Sequence, residues 1–369
     1  MAEIFMHPGA VDLHDHFREP SPTNLSENFE SGSEAALAGG FVITNDMPNT
    51  PGRPPWSEEA VLEKGSLIRQ GSRLPIGIII GAQPVADNVG ELPAMLRHSI
   101  GTKYYATKTT ENDQELGVDD FRDQTDELDK ASRWKPIFLH PGKDNLQDFI
   151  DYIAGYKDHP LHICHVSTQQ DVETAFRAKQ EGMPVTMGVT PHHLFMTQHH
   201  ELGMGEFARM QPPLAQQSDA EYLLWALAND IIDVVETDHA PHSIDSKMEA
   251  EHDEETDCFG VPGIEYALPL LFRLERLGKI SMRRIVEVTS INPARIIGVH
   301  LSERTGVEWD MQEYRIKDDD VVSDAMWTPF AGMLAVGKVR SAKIAGKTVV
   351  SPKGPVEGYP DVVLIGKVY

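Results

Sequence analysis

Short apolar, β-branched runs recur along this chain, separated by stretches of helical length and periodicity. Runs at 10–12, 41–46, 75–80, 101–106, 135–140, 161–166, 184–190 and 232–237 predict eight strands. Helices are expected over 25–38, 57–70, 90–98, 119–132, 144–155, 168–181 and 219–229, then over 264–277, 281–289 and from Asn292. Strands alternating with helices predict parallel βα units, and eight of them predict an α/β fold, a closed (β/α)8 TIM barrel, over residues 7–300. After about residue 300 the texture changes. Segments 336–344 and 347–350 alternate like short antiparallel strands around Gly turns. Residues 301–369 are therefore expected to form a C-terminal extension with a small β element packing near the N-terminus.

Composition narrows the setting. Forty per cent hydrophobic and 24% charged residues describe an ordinary globular protein. No apolar run approaches the roughly 20 residues that would span a bilayer. The opening MAEIFMHPG lacks the basic and apolar regions of a secretory signal, and Cys164 and Cys258 are too few for a disulfide framework. A cytoplasmic protein is the expectation. The sequon at Asn24 is read as chance, and the acidic stretch 249–257 as a solvated loop. A net charge of −24 opposes binding to nucleic acid or anionic membrane, though a few local cations would still accommodate a small anion.

Chemistry is signalled by placement. His14 and His16 follow the first strand, Lys103 lies in the fourth, His140 ends the fifth, His165 closes the sixth and Asp238 ends the eighth. In such barrels the C-terminal strand ends carry the active site. His14 and His16 stand two apart, so both point to one side of an extended segment. One strand-end histidine would read as structural; four with an aspartate predict a binuclear divalent site, its ions roughly 3.5–4 Å apart. Imidazole and carboxylate donors suit Zn²⁺, and Mn²⁺ or Co²⁺ could occupy the same geometry. Asp238, ligand and neighbour of the activated water, is the natural proton shuttle. For Lys103 two readings stay open: pairing with a nearby acid, or an uncharged amine that adds CO₂ to give a bridging carbamate.

The segments DLHDHFREP, NDMPNTPGRPP, HICHVST, VTPHHLF and TDHAPH resemble the amidohydrolase superfamily and, within it, the dihydroorotase family. The late MWTPFAGMLAVGKVRSAKIAGKTVV resembles the tail of the dihydroorotase domain in multifunctional pyrimidine enzymes. The resemblance runs from about residue 7 to residue 350. It implies two Zn²⁺ per chain, one held by His14, His16 and Asp238, the other by His140 and His165, with carboxylated Lys103 as the bridge. Arg18, Asn49 and His242 would bind the substrate carboxylate. Thr109 and Thr110 would close over it from the loop after strand four, and backbone groups at Gln211 and Gly260 would face its ring.

The implied reaction is the reversible cyclisation of N-carbamoyl-L-aspartate to L-dihydroorotate, through a metal-activated hydroxide with Asp238 as general acid and base. A homodimer, and aspartate transcarbamoylase as a partner, are also implied. Cys164 resembles a residue of relatives with an additional zinc, but those carry an acid in strand seven where this chain has Gly188, so Cys164 reads as a small buried residue. His192 and His193 are expected to support strand seven. Two alternatives compete: another cyclic amidohydrolase, such as an allantoinase or hydantoinase, and a non-catalytic subunit scaffolding aspartate transcarbamoylase.

Overall fold

Eight parallel strands follow one another in chain order around a single axis. The computed structural model describes residues 3–21, 27–81, 89–107, 117–131, 135–142, 145–156, 159–251 and 258–356. After a first strand, β1 (Ile4–His7), the barrel is built from β2 (Ala10–Val11), β3 (Phe41–Asp46), β4 (Ile76–Gly81), β5 (Gly101–Tyr105), β6 (Ile137–His140), β7 (Leu161–Ile163), β8 (Val185–Val189) and β9 (Val234–Val235). Asp15, beyond β2, bridges Asp46 on one side and His239 on the other, and the His16 N–H donates to the His239 carbonyl at 2.8 Å. These contacts tie the first strand's exit to the last one's. The TIM barrel expected from the alternating pattern is the fold observed.

Local chemistry sets where the elements stop. Ile78, Ile79 and Ile80 are all buried, because a parallel sheet covered by helices has no wet face. The first helix begins at Phe29 instead of residue 25. The Asn28 side chain there accepts from the N–H groups of Glu30 (2.9 Å) and Ser31 (3.0 Å), a helix cap that fixes the start. The first and last barrel strands are shorter than expected. At their ends side-chain bonding replaces the ladder: Asp12 Oδ1 accepts from the Thr237 N–H at 3.0 Å and the Thr237 hydroxyl donates to Asp12 Oδ2.

A second sheet joins β1 to β10 (Gly306–Arg315), β11 (Leu334–Ile344), β12 (Lys347–Ser351) and β13 (Gly354–Pro355), antiparallel throughout in that order. The strand β10 was not among those expected, although Val307, Trp309 and Met311 alternate and are buried. Trp309 packs edge-on against Phe272 (5.0 Å between centroids) and fills the space above Gly40. A Cβ at Gly40, whose φ is +82°, would come within 2.1 Å of the indole. One apolar core therefore runs from the barrel helices into this sheet.

Among the described residues no helix is long and apolar enough to cross a membrane. Cys164 and Cys258 are both free and buried. The sequon at 24–26 and residues 252–257 of the acidic stretch lie outside the described residues.

Candidate metal centre and substrate cleft

Histidines from three strand exits converge at the C-terminal mouth of the barrel. His14 Nε2 lies 3.2 Å from His16 Nε2 and 3.3 Å from Asp238 Oδ1, and His16 Nε2 lies 3.1 Å from the same oxygen. Donors about 2.0–2.1 Å from a tetrahedral cation stand roughly 3.4 Å apart, so this triangle has the dimensions of one face of such a site. Asn49 Oδ1 accepts from His16 Nδ1 at 2.5 Å, which leaves the Nε2 lone pair facing Asp238. Burial, with the Lys103 cation and the other imidazoles close by, holds His14, His140 and His165 well below the usual imidazole range. Burial also lowers His16, against the pull of Asp238. Neutral imidazoles are the ligating form.

His140 and His165 stack edge to face at 4.4 Å, and the His165 ring is 5.0 Å from that of His14. Buried nitrogens of these rings, His14 Nδ1, His140 Nε2 and His165 Nδ1, have no hydrogen-bond partner among the described residues. Orphaned buried nitrogens are costly unless something else engages them, so the donor set fits a bound cation. His165 and Asp238 hold φ of +36° and +47°, backbone conformations that non-glycine residues seldom adopt and that cluster at functional sites.

Lys103 is fully buried in β5. Its Nζ donates to Cys164 Sγ at 3.2 Å and lies 5.2 Å from the Tyr105 ring centre. No carboxylate stands within ion-pair reach of it among the described residues, so the acid-paired reading finds no support. A second group of candidate donors, His14, Cys164 and Glu236, also lies within 4.8 Å.

Above the histidines opens a narrow cleft lined by His14, His16, Arg18, Asn49, Tyr105, His140, Gln211, Asp238, Ala240, Phe259 and Gly260. Arg18 Nη1 meets the His242 ring there, 3.4 Å from Nδ1 and 3.1 Å from Nε2. His242 Nε2 also lies 2.9 Å from the Phe259 carbonyl, so the ring is held by the backbone as well as by Arg18. The Gly260 N–H is engaged by the Arg209 carbonyl, leaving its own carbonyl as the backbone group available to a ligand. Thr109 and Thr110 lie outside the described residues. His193 bridges Thr190 Oγ1 (2.7 Å) and the Pro212 carbonyl (3.1 Å), a supporting role.

Sequence reasoning missed Glu236, buried beneath His14 and His165. The signal was available: Glu236 and Asp238 stand two apart, the same spacing that singled out His14 and His16, and a charge inside an apolar strand run calls for a partner.

A parallel barrel here gathers imidazole and carboxylate donors at its C-terminal mouth, a donor set suited to a divalent cation. L-hydantoinase (dihydropyrimidinase) from Arthrobacter aurescens superposes with a TM-score of 0.85 at 23% identity, covering 97% of this chain and 87% of that one. An inactive dihydroorotase-like domain from the CAD-like multifunctional protein of Chaetomium thermophilum superposes at 0.77 and 19% identity, covering 97% and 98%. At such identities these likenesses establish the fold alone. By sequence, the dihydroorotase of Sulfurihydrogenibium sp. (strain YO3AOP1) is 32% identical over 382 residues, 93% of this chain and 87% of that protein. The chain belongs to the dihydroorotase family. It is also 33% identical over 344 residues to the multifunctional protein CAD of Squalus acanthias, covering 92% of itself but only 15% of that much longer protein. No protein-family model matches the chain.

Proposed function

We propose that this chain is a dihydroorotase, interconverting N-carbamoyl-L-aspartate and L-dihydroorotate in pyrimidine biosynthesis. The observation that carries the reading is the juxtaposition, in one cleft, of the His14–His16–Asp238 triangle with the Arg18–His242 pair. The first suits a divalent cation and the second a carboxylate.

In this reading His14, His16 and Asp238 would hold one Zn²⁺ and His140 and His165 the other, with Lys103, as its carbamate, a ligand shared by both; Mn²⁺ or Co²⁺ would fit the same donors. The chemistry supplied by two bound cations is a lowered water pKa and a polarised carbonyl. The remaining work falls to the chain. Arg18, Asn49 and His242 hold the substrate carboxylate, the guanidinium through its planar fork. Asp238, at the edge of the cleft, carries the proton to or from the amide nitrogen. Gln211 and Gly260 border the ring, and Thr109 and Thr110 are the residues proposed to hydrogen-bond it.

Residues 7–300 are the catalytic barrel, and the extension 301–369 supports it. Trp327 Nε1 donates to the His242 carbonyl at 2.8 Å, holding that loop from the extension side. Likeness to multifunctional proteins supports a multi-enzyme setting; within this reading the partner is aspartate transcarbamoylase and the chain a cytoplasmic homodimer.

The test is turnover of dihydroorotate beside hydantoin and allantoin, with metal analysis of the same preparation. Dihydroorotate turnover with two zinc ions per chain is expected, and Asp238→Asn should lower kcat about 10²–10⁴-fold. Turnover of only the other two rings would make the chain a different cyclic amidohydrolase. Absence of tightly bound metal, with no activity after adding zinc and bicarbonate, would make it a scaffold.

A further inference from the structure

Glu236 is a carboxylate buried beneath the candidate metal ligands, with no part in the proposed reaction. It is fully buried at the end of β9, where a charged group survives only if its oxygens are engaged. Oε1 accepts from the backbone N–H of His165 at 2.6 Å, and Oε2 lies 3.1 Å from His162 Nε2. The far side of His162 is tied in turn, with Nδ1 2.9 Å from Thr186 Oγ1. Oε2 also faces His14 Nδ1 across 3.9 Å, while His14 Nε2 is turned to Asp238.

Gly188 explains how the carboxylate fits. On β8 a Cβ at this position would come within 2.4 Å of Glu236 Oε1, so any side chain there would displace it. The small residue of one strand and the long acid of the next occupy a single space.

We propose that Glu236 is a positioning residue for the metal centre. It fixes the backbone that presents His165 and accepts a hydrogen bond from the His14 Nδ1–H when Nε2 is used as a ligand. A ligating imidazole needs an acceptor for its other N–H, and such partners set ring orientation and basicity. His14 Nδ1 has no hydrogen-bond partner among the described residues, and a small ring rotation toward Oε2 would supply one. The inference rests on the metal-dependent reading of the site.

The test uses the full chain loaded with zinc or, as a visible probe, with Co²⁺. Glu236→Ala and Gly188→Ala should lose zinc to a chelator about 10–100-fold faster than wild type, shift the Co²⁺ absorption bands, and lower kcat with KM unchanged. Glu236→Gln keeps an oxygen for the His165 N–H and hence the fold. It should fall between them and wild type, with an unchanged thermal midpoint. Wild-type zinc retention and Co²⁺ spectra in both Glu236→Gln and Gly188→Ala would overturn the proposal. So would three zinc ions per wild-type chain falling to two in Glu236→Ala, which would make Glu236 a ligand. A wild type that retains zinc but turns over no dihydroorotate would sink the functional reading while the retention comparison still decides this one. A wild type that holds no metal would overturn both.

Discussion

Arg18 and His242 meet at the mouth of the barrel, guanidinium Nη1 3.1 Å from imidazole Nε2, although 224 positions separate them in the chain. Burial and the Arg18 charge hold His242 well below the usual imidazole range, so the pair carries one positive charge and not two. A carboxylate bound there would gain a charge-assisted bond to the guanidinium, worth about 1.5–3 kcal/mol. Arg18→Lys keeps the charge but loses the planar fork. It should reduce kcat/KM for dihydroorotate about 10–100-fold, mostly through KM. Any turnover of hydantoin, which lacks the carboxylate, should not change. Steady-state kinetics on both rings checks this, and equal losses would mean that Arg18 supports the fold and not the substrate.

Lys103 supplies the second prediction. It is buried, bonded to Cys164 Sγ, and has no acid within reach among the described residues. An amine with no acid to pair with is open to addition of CO₂, which would give the bridging carbamate. Metal removed by a chelator and replaced as zinc in CO₂-free buffer should leave the protein inactive, and bicarbonate should then restore activity. Lys103→Met should not respond. Full recovery with zinc alone would rule out the carbamate.

The third prediction concerns the loop that carries Asn49. Lys64 Nζ is paired with Asp46 Oδ2 at 2.5 Å, both groups buried, and also donates to Thr50 Oγ1 at 3.1 Å. Removing one partner of a buried pair leaves an uncompensated charge, at a cost of about 3–5 kcal/mol. Lys64→Met should lower stability by that amount in denaturant titrations. Asp46→Asn in the same chain should recover much of it, because Asn still accepts the Phe17 N–H that Asp46 holds at 2.8 Å. Strictly additive losses would show the two side chains act independently.

Much of this architecture was legible because apolar runs and helical periodicity are local properties. The eight barrel strands appear in the expected order, and the strand-end rule alone placed His14, His16, His140, His165 and Asp238 together. What was not legible depends on neighbours from distant strands. The space at Gly188 is defined by a side chain on the next strand, so in the sequence it reads as a missing acid. That Asn49 turns its oxygen to His16 Nδ1 is likewise a contact across 33 positions with no local pattern. The strand β10 went unread because its alternating Val307, Trp309 and Met311 are spaced by Glu308 and Asp310, residues that strands usually avoid.

Glu265 gives the last prediction a defined sign. Burial raises its carboxyl from the ordinary value to about 7, although it accepts from the N–H groups of Val322 (2.9 Å) and Ser323 (3.0 Å). Below pH 4.5 the group is protonated in both folded and unfolded chains. Between about 4.5 and 7 the folded chain holds the proton that the unfolded one has released, so this group's contribution to stability falls as pH rises across that window. Glu265→Gln cannot ionise and keeps a carbonyl oxygen for one of the two donors. Its stability relative to wild type should therefore improve from pH 5 to about pH 7 and level off above that. His7, lowered to about 3 by burial, has the opposite slope but is common to both chains and cancels in the difference. Denaturant midpoints at several pH values check this, and two curves that stay parallel would show that Glu265 is ionised in the folded chain throughout.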